Sequence, residues 1–163
     1  MSLHPQTEEL LDQLMSVVRH FHGLGMYAPH AGTIDAQGQF TGTALTNSDG
    51  KQISVLQSIA HFESTFKQQA HEGRIVASGI FYHSPGMPFG ASAFSLPPAN
   101  TTDECHVIVG LLEHARGDSF YIMIPHETTG DGIVYASGTL VVKPATVFIR
   151  PAATPEQPWW KLW

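Results

Sequence analysis

The chain has 163 residues, 42% apolar and 13% charged, with fourteen acids against eight bases for a net charge of -6. That length suits one domain able to bury roughly 70% of its unfolded surface, and a mean hydropathy of -0.04 excludes both a highly charged disordered chain and a membrane-embedded one. An acidic chain without basic runs is a poor nucleic-acid binder, because nothing displaces phosphate counterions.

Thr7 is the expected N-cap of a first helix, with Glu8, Glu9 and Asp12 where the helix dipole favours negative charge. Leu10, Leu11, Leu14, Met15, Val17, Val18 and Phe21 form an apolar stripe at helical spacing, and Gly23 and Gly25 end it. Strands over 27–34 and 39–45 flank Asp35-Ala36-Gln37-Gly38, a hairpin turn in which Gly38 is free to take positive φ. Asp49 and Gln52 are spaced as a capping box. A second helix is predicted over 52–70, with Val55, Ile59, Phe62 and Phe66 on its buried face and Gly73 as its stop. Strands then follow over 74–83, 104–114 and 119–125, the last two joined by Ala115-Arg116-Gly117-Asp118. A last piece, 138–149, is confined to an edge by Pro144, which cannot donate to a ladder.

This pattern predicts a single α+β domain over 1–149 and a Pro/Trp-rich tail over 150–163. The expected architecture is an antiparallel sheet of about five strands flanked by two helices, in the order α-β-β-α-β-β-β. That order is similar to profilin-like and roadblock-like folds. A closer resemblance lies in Ile75-Val76-Ala77-Ser78-Gly79-Ile80-Phe81-Tyr82-His83, then Leu111-Leu112-Glu113-His114 and Ile124-Pro125-His126. This resembles a group of uncharacterised small bacterial proteins with a strand, a leucine-glutamate-histidine hairpin and a closing proline-tyrosine in the same order. His126 stands where that group has tyrosine. The resemblance implies a fold and a bacterial source, and carries no activity.

Ten histidines are the main chemical resource. His20, His22 and His30 are candidate metal ligands by proximity in sequence, although no HExxH motif is present and His20 and His22 do not share a helix face. Exposure at the helix end is their expected role. His106, His114 and His126, with Glu113 and Glu127, form a second candidate set for acid/base work, weighed against ordinary cross-strand surface pairs. His61, Glu63, His71 and Glu72 read as a solvated helix face. The lone Cys105 permits no internal disulfide and reads as a small buried hydrophobe; its neighbour His106 points the other way in a strand. No nucleophile elbow or phosphate loop occurs, and Arg116-Gly117-Asp118 is a turn. No catalytic residue is assigned and no cofactor is expected, so chelator should leave the melting temperature unchanged.

The segment 84–103 is a long Pro/Gly/Ser-rich loop carrying Met87, Phe89 and Phe94, and the tail carries Trp159, Trp160 and Trp163. These six residues are the expected interaction surface, since tryptophan dominates interface hot spots. No signal peptide or spanning segment is visible, which makes the cytoplasm the expected location and excludes a membrane partner. The expected function is a non-enzymatic interaction module, adaptor- or immunity-like, that binds a protein or a second copy of itself. The rival is a small-ligand or metal-binding sensor or enzyme built on clustered histidines.

Overall fold

Helix α1 spans Pro5–Gly23 and is capped by His4, whose ring accepts from the Gln6 amide at 3.2 Å. Pro5 has a fixed φ suited to the first helical position, so the helix starts before the expected cap. Thr7 is instead buried in the first turn, where its hydroxyl donates to Asp118 Oδ2 at 3.0 Å. The computed structural model describes residues 2–44, 54–86 and 105–149. Strands β1 (His30–Ile34) and β2 (Phe40–Thr43) form the predicted hairpin, with Gly38 at φ 83°. Helix α2 spans Val55–His71 behind a capping box of Ser54 and Gln57; Asp49 and Gln52 lie outside the described residues. Strands β3 (Ala77–Ser84), β4 (Val107–His114), β5 (Ser119–Thr129), β6 (Gly132–Tyr135) and β7 (Thr139–Val142) follow.

All pairings are antiparallel, in the order β2-β1-β3-β4-β5-β6, and β7 also pairs with β5. The protein is therefore an α+β domain with two helices on one sheet, and the sheet has seven strands rather than about five. The difference is concentrated around β5, which runs on past Pro125 to Thr129 and turns back as β6. Four residues that are only alternately half-buried make β6 a weak sequence signal.

Strand alternation divides the core in two. Leu10, Leu14 and Val18 of α1 pack on Ile34, Phe81, Leu112 and Ile122. Ile59, Phe62 and Phe66 of α2 pack on the other face, against Ile80, Tyr82, Val109 and Tyr121. Helix α1 lies close to the strands because β3 carries glycine beneath it: a Cβ at Gly79 would sit 2.6 Å from Leu14 Cδ1. Gly79→Ala should therefore cost about 1–3 kcal/mol in urea denaturation, through displacement of Leu14.

Two polar clamps complete the frame. The Arg116-Gly117-Asp118 turn is fixed to the start of α1, since Asp118 Oδ2 accepts from the His4 amide at 2.7 Å as well as from Thr7. On the α2 face, buried Glu113 forms an ion pair with buried Lys143. The same carboxylate accepts from Thr146 N, Thr146 Oγ1 and Val147 N at 2.8 Å each, and from Phe148 N at 3.0 Å. The predicted strand over 138–149 thus shortens to Thr139–Val142. Beyond it the chain is held by a carboxylate, as suits a segment interrupted by Pro144.

Candidate metal centre

Three apolar series on the α1 face each end in a histidine. Along α1, Leu10, Leu14 and Val18 step by four residues, and the next step is His22. Along β3, Ala77, Gly79 and Phe81 alternate toward this face, and the next step is His83. Along β5, Ile122 and Ile124 lead to His126. Strands β3 and β5 both run antiparallel to β4, so their C-terminal halves lie at the same end of the sheet.

The three rings meet there. Ring centroids are 4.5 Å apart for His22 and His126, 4.8 Å for His22 and His83, and 6.3 Å for His83 and His126. One ring nitrogen from each lies within 4.8 Å of the others. The exposures are 4%, 1% and 8% for His22, His83 and His126. A triangle with sides of at most 4.8 Å has a centre no more than about 2.8 Å from each corner. Each ring then needs to close by at most about 0.7 Å to reach the zinc–imidazole distance of about 2.1 Å.

Electrostatics favour the ligand form. Burial, followed by the neighbouring imidazoles His22, His126 and His30, pushes His83 down to about 3. Burial, His22 and His106 push His126 down to about 4. Burial also lowers His22. All three are therefore neutral at pH 7, as a metal requires. Buried His83 Nδ1 and His126 Nε2 have no hydrogen-bond partner, a cost of about 1–3 kcal/mol each. His22 Nδ1 is 2.7 Å from the Tyr135 hydroxyl, which leaves Nε2 for an ion and orients the ring. Tyr27 stands edge-on to His22 and His83, at 5.5 and 5.1 Å.

Of the trio expected from sequence, only His22 joins this centre. His20 is exposed, edge-on to Phe21. His30 is buried and stacks on Phe21 at 4.9 Å, with its Nδ1 unpartnered. The acid/base set is brought together only in part: the His126 amide donates to the His106 carbonyl at 2.9 Å, and His114 and Glu113 lie apart from that pair. His106 is exposed, His114 stacks on His4 at 3.9 Å near the start of α1, and Glu113 is committed to Lys143. Cys105 is buried, as expected. Met87, Phe89, Phe94, Trp159, Trp160 and Trp163 lie outside the described residues. Among the described residues, no helix is long and apolar enough to cross a membrane.

No known protein family, curated protein or solved structure matches the chain.

Proposed function

We propose that the chain binds a divalent transition metal, zinc in the first instance, on His22, His83 and His126, and acts as a metal-dependent enzyme. The convergence of three buried, neutral imidazoles from three separate elements carries this reading. It ranks ahead of an adaptor-like module because it accounts for buried nitrogens that otherwise lack partners. Three protein ligands with a position left open is the catalytic pattern, whereas structural zinc sites close with four. Among the described residues, no other histidine, cysteine or carboxylate completes the group. A metal so held lowers the pKa of a bound water and polarises a carbonyl or phosphoryl oxygen. Tyr135 orients His22, and the packing of α1 against β3 and β5 keeps all three rings dry.

Chelator-stripped protein dialysed against zinc should retain one ion per chain by metal analysis. His22→Ala, His83→Ala and His126→Ala should each lose stoichiometric zinc while keeping the far-UV dichroism of the parent, and His20→Ala should keep the ion. Equal zinc content in all four variants would contradict the assignment.

A further inference from the structure

A groove of about 530 Å³ runs along the C-terminal half of α2, on the face of the sheet opposite the histidine centre. Ser64, Lys67, Gln68 and His71 line it from the helix, at the i, i+3, i+4 and i+7 spacing of a single stripe. The opposite wall is Val147, Phe148 and Ile149. Glu113 holds that wall in place, since its carboxylate accepts from the Val147 and Phe148 amides. Ile149 is nevertheless 54% exposed. The chain continues from this wall into residues 150–163, which carry all three tryptophans of the protein, Trp159, Trp160 and Trp163.

We propose that the groove seats these tryptophans, so that the segment folds back in cis along α2. Nine residues, 150–158, separate Ile149 from Trp159. At roughly 3.3 Å each they span up to about 30 Å. The lining stretch of α2 from Ser64 to His71 is about 10 Å long, so the tether is long enough. A tether of this length gives the indoles a high effective concentration at the groove, which favours their own chain over a second copy. The chemistry of the groove suits indole, a large apolar ring with one polar donor. Val147, Phe148 and Ile149 offer apolar surface, and Lys67 a cation for the ring face. Gln68 gives its side-chain nitrogen to Glu72 at 3.1 Å, so its carbonyl oxygen can accept an indole N–H.

The chain has no tryptophan outside this segment, so the intrinsic emission of the full-length protein reads the seating directly. That emission should be blue-shifted from the emission of the urea-unfolded protein and independent of protein concentration. Ile149→Asp places a charge on the exposed part of the wall. It should shift the emission to the red and increase quenching by acrylamide, with the far-UV dichroism of the parent retained. Leu56→Asp, on an exposed position of α2 outside the groove, should leave emission and quenching as in the parent. Parent emission that matches the unfolded protein overturns the proposal. Blue-shifted emission that persists in Ile149→Asp places the tryptophans elsewhere and overturns it too. Emission that reddens on dilution, as sedimentation shows a dimer dissociating, overturns the cis assignment in favour of a second copy.

Discussion

Replacing Lys143 by methionine should destabilise the protein by about 3–5 kcal/mol at pH 7, because it strands a buried carboxylate. Glu113 and Lys143 are both nearly inaccessible, at 2% and 4% exposure. Burial pushes the Glu113 carboxyl up, but Lys143 and the amides of Thr146 and Phe148 outweigh it and hold the group below its usual range. The folded value lies below the unfolded one. The pairing therefore stabilises the fold fully above the ordinary glutamate range near 4.3, and this stability is lost as pH falls through the folded value. The double variant Glu113→Gln with Lys143→Met should cost less than Lys143→Met alone, since neither charge then remains buried. Urea denaturation of the single and double variants measures this coupling. Additive losses would show that the pair is not coupled.

The second large effect is on pH. Metal-free protein should lose stability as pH falls below about 6.5, a window that opens about two pH units above that of Glu113. The folded values of His83 and His126, about 3 and about 4, lie below the unfolded value. The unfolded chain therefore binds more protons in between, and the stability present above about 6.5 drains away on acidification. At pH 5, His83 alone accounts for a loss of about 2 kcal/mol. His83→Phe should flatten the profile between pH 7 and 5 by that amount. Bound zinc should steepen the parent's acid loss, since protons compete for its ligands. A variant profile that parallels the parent would show that His83 does not titrate on unfolding.

The helices and most strands were legible because their apolar periods are strong. The stripe from Leu10 to Val18 and the face from Val55 to Phe66 identify α1 and α2 directly. Caps were less legible: Pro5 and Ser54 compete with Thr7 and Asp49 in a pattern that only the backbone settles. Strand β6 was missed because Ile133 and Tyr135 alone supply its half-buried face. The histidine centre was partly legible. His22 continues a four-residue series, and His83 and His126 continue two-residue ones, so each could be placed on a buried face. That the three faces are one face depends on α1 covering the same side of β3 and β5. It depends also on the register that pairs His83 with Ile108 and Ile108 with Ile124. Proximity in sequence pointed instead to His20 and His30, which flank His22 along the chain but do not complete its group.

The metal assignment is tested most directly by thermal melting of chelator-stripped protein with and without zinc, alongside His126→Ala. A dissociation constant a hundredfold below the free zinc concentration gives about 2.7 kcal/mol of stabilisation, or roughly 5–10 °C for a chain of this size. The account predicts that rise in the parent and its absence in His126→Ala. A parent protein that melts at the same temperature with and without zinc would contradict it.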